Sequence, residues 1–112
     1  MSTPFEELAG LDRLIHDPTR LAILSALEAC ARADFLFLKG ITGLTKGNLS
    51  SHLSKLEEAG LVGIDKRFED KRPVTRAFLT PRGREALAGY WQRLERLRDG
   101  ARQWEPPEDE DV

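Results

Sequence analysis

Residues 48–62, NLSSHLSKLEEAGLV, combine a helical pattern of leucines with a run of short polar side chains. Leu49, Leu53 and Leu56 are spaced four and three residues apart, so on a helix they lie within about 60° of one another. Gly60 then ends the helix, because glycine readily adopts a left-handed conformation. The rest of the helix surface would carry Asn, Ser, His and Lys, all of which form hydrogen bonds, and a purely structural helix does not need them.

Two helices are predicted upstream of this stretch. Apolar residues spaced three and four apart indicate a first helix over Phe5–His16. The pair Asp17-Pro18 predicts a new helix start, because aspartate caps helix N-termini and proline fits the first turn. The second helix is therefore expected over Pro18–Ala33.

The segment DFLFLKGIT, residues 34–42, is ambiguous in local structure. Its four apolar residues, Phe35 to Leu38, fit a short strand as well as a buried helix. A short helix is favoured because Gly43 provides a stop before the next helix, for which Thr45 is the expected N-cap. The order of short helix, turn and amphipathic helix is that of a helix-turn-helix.

Downstream, the apolar pattern changes from the period of a helix to that of strands. Val62, Ile64 and Phe68 alternate with polar residues or glycine, and a second such run follows the turn EDKRP. An isolated hairpin is not stable, so this one must pack against the helices. Thr80-Pro81 then repeats the helix-start signal, and a long last helix follows to about Trp104.

Length and composition restrict the class of protein. A chain of 112 residues suits one domain, and 40% hydrophobic with 32% charged residues is typical of a globular protein. No apolar run approaches the roughly 18 residues that span a membrane, and the N-terminus does not read as a secretory signal. The single cysteine, Cys30, has no partner for an internal disulfide, so we expect a cytoplasmic protein.

Positive charge is concentrated in the middle of the chain. The formal net charge is −2, yet residues 43–84 hold nine basic and five acidic residues, while both flanking segments are net acidic. A local basic surface matters more than the total charge, because salt screens interactions beyond about 10 Å. Residues 105–112, EPPEDEDV, are predicted to form an acidic disordered tail, which leaves residues 1–104 as one domain.

A helix-turn-helix followed by a basic hairpin suits double-stranded DNA. The major groove is about 12 Å wide and admits one helix, and a hairpin beside that helix can reach phosphates or the minor groove. With the leucines turned inward, hydroxyl, amide and lysine groups face outward, where they can bind base edges and phosphates. The predicted DNA-binding residues are Lys46, Asn48, Ser50, Ser51, His52, Ser54, Lys55, Arg67, Lys71, Arg72 and Arg76.

The same residues resemble a known family. Over about residues 15–90, the chain is similar to winged helix-turn-helix transcriptional regulators of the ArsR/MarR type, and in particular to a compact, metal-free subgroup. The resemblance implies a mainly α fold with a small β-hairpin wing at 62–79 and the helix at 46–59 in the major groove. The matching motifs are Asn48-Leu49-Ser50-Ser51-His52-Leu53, Leu56-Glu57, Ala59-Gly60-Leu61-Val62, Arg72-Pro73, Thr75, Leu79-Thr80 and Gly83.

The resemblance also implies an assembly. Members of this family are usually homodimers that join through their first and last helices, here 5–16 and 81–104. We expect a repressor that occupies a promoter at a palindromic operator, and the sequence leaves activation open. Two recognition helices would then lie about 34–36 Å apart. The expected dimer-interface residues are Leu8, Leu11, Ile15, Leu87, Tyr90, Trp91, Leu94 and Leu97.

Two other functional classes compete with DNA binding. A winged-helix module that binds protein in a larger assembly should display large apolar side chains on the helix at 46–59, and this one displays Ser, Asn and Lys. An enzyme would need a nucleophile with its base, or a phosphate-binding glycine loop, and neither motif is present. His16 and His52 do not make a metal-ligand pattern, so no metal or cofactor is expected. Whether a small-molecule effector exists stays open.

Overall fold

Five helices and three strands make up the part of the chain described here, residues 2–108 of a computed structural model. The predicted class, mainly α with a small hairpin wing, is confirmed. The helices are α1 (Pro4–Ala9), α2 (Pro18–Ala29), α3 (Phe35–Thr42), α4 (Lys46–Glu58) and α5 (Pro81–Gln103), and the strands are β1 (Ala33–Asp34), β2 (Val62–Glu69) and β3 (Arg72–Leu79).

The first helix is shorter than the sequence predicts. α1 ends at Ala9, with Gly10 as its C-cap, instead of continuing to His16. Glycine has a low helix propensity, and the Asp12 carboxylate accepts a hydrogen bond from the backbone N–H of Leu14 at 2.9 Å, which favours a turn over a helix. The turns still bring the apolar residues of the predicted pattern into the core, namely Leu11 and Ile15.

The second helix starts where predicted and ends early. The Asp17 carboxylate caps α2 by accepting a hydrogen bond from the backbone N–H of Arg20 at 2.9 Å. The helix ends at Ala29 instead of Ala33, because residues 33–34 form β1, which pairs antiparallel with β3. This short strand was not predicted, since two residues carry no detectable period.

The predicted helix-turn-helix is formed by α3 and α4. Of the ambiguous segment, residues 35–42 form a helix, which Asp34 caps and Gly43 ends with a φ of 71°. The Thr45 hydroxyl caps α4 by accepting from the Asn48 backbone N–H at 3.2 Å, and Gly60 follows the helix with a φ of 80°. The predicted inward face is confirmed, because three leucines of α4 are buried: Leu49, Leu53 and Leu56.

β2 and β3 form an antiparallel hairpin, called the wing below. Its last pair at the tip is Glu69 opposite Arg72. The two residues between the strands, Asp70 and Lys71, have positive φ angles of 50° and 65°, as in the tightest two-residue hairpin turns. β1 pairs with the free edge of β3, so the strand order is β1-β3-β2.

Thr80 and Gly83 attach α5 to the base of the wing. The Thr80 hydroxyl accepts a hydrogen bond from the Gly83 backbone N–H at 2.9 Å and donates one to the Gly60 carbonyl at 2.6 Å. A Cβ on Gly83 would lie 1.9 Å from the carbonyl oxygen of Leu61, so only glycine allows this approach. The position of α5 is thereby tied to the segment that joins α4 to the wing.

One hydrophobic core joins the helices to the base of the wing. α5 has 23 residues, hence a length of about 34 Å, and α1 packs along it, with the rings of Phe5 and Trp104 in edge-to-face contact at 5.2 Å. Of the predicted acidic tail, residues 109–112 lie outside the described part of the chain. The largest fully buried side chains are Ile23, Leu24, Leu27, Leu38, Leu49, Leu56, Val62 and Leu87.

Replacing Gly83 with alanine should destabilise the fold by about 1–3 kcal/mol, because the new Cβ meets the Leu61 carbonyl. Gly89→Ala is the matched control, since it lies in the same helix with nothing within 4 Å of its Cβ position, and should stabilise by about 0.4–1 kcal/mol. Urea unfolding measures both. Equal effects of the two substitutions would refute the close contact at Gly83.

Acid should weaken the fold partly through Asp17. The hydrogen bond from the Arg20 backbone N–H lowers the pKa of the Asp17 carboxyl below its ordinary value. A carboxyl whose pKa is lower in the folded protein than in the unfolded chain stabilises the fold. This stabilisation is complete above the unfolded-state pKa of about 3.9. It is lost as the pH falls from that value through the folded-state pKa. Asp17→Asn keeps a capping oxygen without the charge.

We therefore expect Asp17→Asn to be less stable than the wild type at neutral pH, by about 0.3–1 kcal/mol. The difference should close as the pH falls below about 3.9, where aspartate is protonated in the unfolded chain. Chemical unfolding across this pH range gives the measurement, and a difference that does not change with pH would contradict the assignment.

Candidate nucleic-acid interface

The side of α4 opposite its leucines is open to solvent, and no other part of residues 2–108 covers it. Gly47 lies on this side with nothing within 4 Å of its Cβ position. Because most of these side chains are short, another surface can approach the helix closely. The predicted residues of α4 that are exposed are Lys46, Asn48, Ser50, Ser51, Ser54 and Lys55.

His52 lies half-buried at one edge of this exposed strip, where Arg20 of α2 orients it. Arg20 Nη1 lies 3.3 Å from His52 Nδ1, while Nε and Nη2 donate to the carbonyls of Leu14 and Arg13 at 2.6 and 2.8 Å. A guanidinium only donates, so Nδ1 accepts and the proton of a neutral His52 ring sits on Nε2. Arg20 was not among the predicted site residues, since its contact spans 32 positions of sequence.

The strand register divides the wing into two faces, because residues paired across antiparallel strands point to the same side. The inner face borders α4 and the outer face lies on the opposite side. Beyond its buried base, the inner face carries Ile64, Lys66 and Phe68 opposite Ala77, Thr75 and Pro73. The outer face carries Asp65, Arg67 and Glu69 opposite Arg76, Val74 and Arg72.

Arg67 and Arg76, two of the predicted DNA-binding residues, lie on the outer face in ion pairs. Arg76 donates two hydrogen bonds to the Glu69 carboxylate, at 2.6 and 2.9 Å. These bonds lower the pKa of Glu69 and raise the pKa of Arg76, so both groups keep their charge. Asp65 lies 2.6 Å from Arg67 and 3.4 Å from Arg32. Both predicted cations thus already have a carboxylate partner within the chain.

The tip of the wing carries positive charges that are not held in the ion pairs of the outer face. Lys71 and Arg72, both predicted DNA-binding residues, are exposed there. Neither forms an ion pair with another residue in the range 2–108. Their charges are therefore available to an anionic partner.

A groove of about 840 Å³ separates the inner face of the wing from α4. Lys46 and Ser50 line it from the helix, and Lys66 and Thr75 line it from the wing. Lys66 was not among the predicted site residues. It occupies the side of β2 that also carries Ile64 and Phe68, and a charged lysine at such a position is a signal that could have selected it. Phe68, on the same face, is 77% exposed and was also missed.

The predicted dimer-interface residues fall into two groups. Leu8 and Leu94 are partly exposed, and Trp91 is 42% exposed beside a shallow groove lined by Leu94, Glu95 and Arg98. The rest pack into the core of a single protomer, which leaves them little surface for a partner. These core residues are Leu11, Ile15, Leu87, Tyr90 and Leu97.

Metal ligands, membrane-spanning helices and free thiols define other kinds of site. Among residues 2–108, no three His, Cys, Asp or Glu side chains are grouped so that they could hold a metal ion. None of the helices described there is both long and apolar enough to cross a membrane. Cys30 is a free, half-buried thiol at the end of α2.

Comparison with known proteins agrees with this geometry. A family model for a winged helix DNA-binding domain matches residues 19–97. An uncharacterised protein of Methanocaldococcus jannaschii is 43% identical over 78 residues, which is 70% of this chain and 85% of that protein. The similarity therefore covers the helix-turn-helix, the wing and much of α5.

Solved structures share the fold. A transcriptional regulator homologue from Pyrococcus horikoshii matches with a TM-score of 0.79 and 32% identity, over 88% of this chain and 96% of that one. A MarR-family transcriptional regulator from Silicibacter pomeroyi matches with a TM-score of 0.61 and 24% identity, over 95% and 68% of the two chains. Since the family model spans most of its length, the chain belongs to the winged helix DNA-binding domain family and has the fold of MarR-type transcriptional regulators.

Proposed function

We propose that this protein is a cytoplasmic, sequence-specific transcriptional regulator that binds double-stranded DNA as a homodimer and represses by occupying promoters. The observation that carries the proposal is the exposed polar strip of α4 in a member of the winged helix DNA-binding family. In this proposal α4 enters the major groove and the wing contacts the backbone or minor groove beside it.

The chemistry of the α4 strip supports insertion into a groove. Ser50, Ser51 and Ser54 offer hydroxyl groups that both donate and accept hydrogen bonds, so they suit base edges and phosphate oxygens. Lys46 and Lys55 stand near the two ends of the helix, where a helix in the major groove meets the phosphates. Basic residues at both ends and hydroxyls between them match the major groove, where phosphates line the two edges and base edges lie between them.

The pairing of α1 with α5 supports a homodimer. Phe5 of α1, Trp91 of α5 and Trp104, which directly follows α5, are exposed by 47%, 42% and 40%. A second copy of the chain would remove these aromatic rings from water, which is the main favourable term in association. In a two-fold dimer, the two α4 helices would read half-sites about one DNA turn apart, hence a palindromic operator.

A protein-binding module is the second candidate, and one observation favours it. α3 exposes three large apolar side chains, with Leu36 at 77%, Ile41 at 52% and Phe37 at 47%. Such a patch on a small domain marks a contact with another molecule. The large apolar residues lie on α3 and not on the α4 strip, and Leu36 also lines the groove between α4 and the wing.

A negative charge on the α4 strip should strongly weaken sequence-specific binding. We expect Ser51→Glu to lower the affinity by about a hundredfold or more, because a carboxylate facing the phosphates costs several kcal/mol. Gln103→Glu is the control, since it makes the same charge change at an exposed position at the far end of α5. Fluorescence anisotropy with a duplex selected from a random pool gives the affinities.

The same selection tests the function as a whole. A palindromic consensus would support a dimeric, sequence-specific regulator. Failure of the wild type to enrich any sequence would refute it and favour the protein-binding module. Equal affinities of Ser51→Glu and Gln103→Glu would remove α4 from the interface.

Replacing Leu94 with glutamate should produce monomers. Leu94 is half-buried and lines the shallow groove beside Trp91, so a charge there would be desolvated in a dimer. Gln92→Glu adds the same charge at an exposed position of α5 outside that groove. Analytical ultracentrifugation measures the mass, and circular dichroism verifies that each variant is folded. A folded Leu94→Glu variant with an unchanged dimer mass would contradict the interface.

A further inference from the structure

One edge of the exposed strip of α4 lies beside α2 and away from the wing. His52 lies on this edge, where it contacts Arg20 of α2. The residues about one helical turn before and after it, Asn48 and Lys55, are exposed. Neither they nor His52 line the groove between α4 and the wing. An amide, an imidazole and an ammonium group therefore follow one another along the side of α4 that the wing does not border.

The turn between α1 and α2 holds the guanidinium of Arg20 independently of His52. Nε and Nη2 of Arg20 donate to the carbonyls of Leu14 and Arg13 at 2.6 and 2.8 Å. Nη2 also lies 3.7 Å from the Asp17 carboxylate, and the Arg20 side chain is only 12% exposed. Nη1 is the remaining nitrogen, and it lies 3.3 Å from Nδ1 of His52. The turn therefore sets the position of this donor, and the imidazole ring is oriented by it.

The other ring nitrogen of His52, Nε2, is accessible to solvent. Within residues 2–108, the hydrogen bond of the His52 ring is the one at Nδ1. No buried side-chain nitrogen or oxygen in that range lacks a hydrogen-bond partner, so an unpartnered Nε2 on the half-buried ring has to be accessible. Because Nδ1 accepts from Arg20, the neutral ring carries its proton on Nε2. The ring therefore presents an N–H donor at the edge of the strip.

We infer that Arg20 is a positioning residue for DNA binding, which occupies Nδ1 of His52 and so commits Nε2–H to donate to an acceptor atom of the duplex. The inference rests on the proposed function and adds a residue of α2 that lies outside the α4 strip. Acceptors in a duplex are phosphate oxygens and, in the major groove, purine N7, guanine O6 and thymine O4. With the proton on Nδ1 instead, Nε2 would present a lone pair, which these acceptors repel.

The position of the proton can be measured in the free protein, without DNA. The chain contains two histidines, so nitrogen-15 NMR of the imidazole rings gives two sets of signals, and His52→Ala identifies those of His52. At about pH 8, where free imidazole is neutral, the Nε2–H form should dominate in the wild type. Arg20→Gln should shift population to the Nδ1–H form. A wild-type ring with its proton on Nδ1 would overturn the inference, whether or not Arg20→Gln folds.

A double-mutant cycle tests whether Arg20 acts through His52. Fluorescence anisotropy with a duplex selected from a random pool gives affinities for the wild type, Arg20→Gln, His52→Ala and the double variant. Loss of one hydrogen bond corresponds to about fivefold in affinity, so His52→Ala should bind ~25-fold more weakly as a dimer. Arg20→Gln should also weaken binding, but it should add nothing specific once His52 is alanine, because the ring that it orients is absent.

Arg13→Gln is the control for charge. It removes the same charge from an exposed position in the adjoining turn, and Arg13 contacts Arg20 only through its backbone carbonyl. Its effect should be the same factor in the wild type and in His52→Ala, whereas the effect of Arg20→Gln should fall to that of Arg13→Gln in the His52→Ala background.

A scrambled duplex identifies the acceptor. If His52→Ala weakens binding to the selected and the scrambled duplex equally, the acceptor is a phosphate oxygen, since phosphates carry no sequence information. If it weakens binding to the selected duplex alone, the acceptor is a base edge.

Two binding results would overturn the inference. One is an effect of Arg20→Gln that is equally large with and without His52, since Arg20 would then act on DNA or on the fold directly. The other is wild-type affinity of His52→Ala for both duplexes. If the wild type binds no duplex, the proposed function itself has failed, and the NMR measurement on the free protein separates this result from an error in the position of the His52 proton.

Discussion

The burial of Leu49, Leu53 and Leu56 determines how α4 is rotated about its axis, and the rest of the candidate interface depends on that rotation. A fully buried leucine contributes about 1.5–3 kcal/mol relative to an exposed one. Turning the helix so that its serines faced the core would sacrifice three such terms, roughly 5–9 kcal/mol, which is comparable to the whole stability of a small domain. The polar strip faces solvent because the leucines cannot.

The wing depends on the same packing through its base. Val62 and Leu79 are buried in the core next to the end of α4, while Thr80 bonds back to Gly60 and Gly83 packs against Leu61. These contacts fix where the strands leave the core. The exposed half of the hairpin then extends beside α4, and the groove between them has a definite lining although neither wall is buried.

Charge on this surface is governed by pairing more than by composition. Residues 43–84 are strongly basic in sequence, yet Asp65 and Glu69 neutralise two of the wing arginines. What stays available is the tip, with Lys71 and Arg72, and the inner-face lysine at position 66. A count of basic residues therefore overestimates how much of the wing can attract phosphates, and it does not tell which side attracts them.

The helix-turn-helix, the hairpin and most helix ends are predictable from the sequence, because caps, glycine stops and apolar periods act among residues close in the chain. Two predicted helix ends were wrong. The pairing of β1 with β3 ends α2 early, and that contact joins residues far apart in sequence. Gly10 ends α1 early, because the turns after it bury the same apolar residues that a longer helix would. Three properties depend on the packing of the whole domain: which face of the wing meets α4, which arginines form ion pairs, and the contact of Arg20 with His52. Those properties arise between residues far apart in sequence, whose separation is set by packing and not by local propensity.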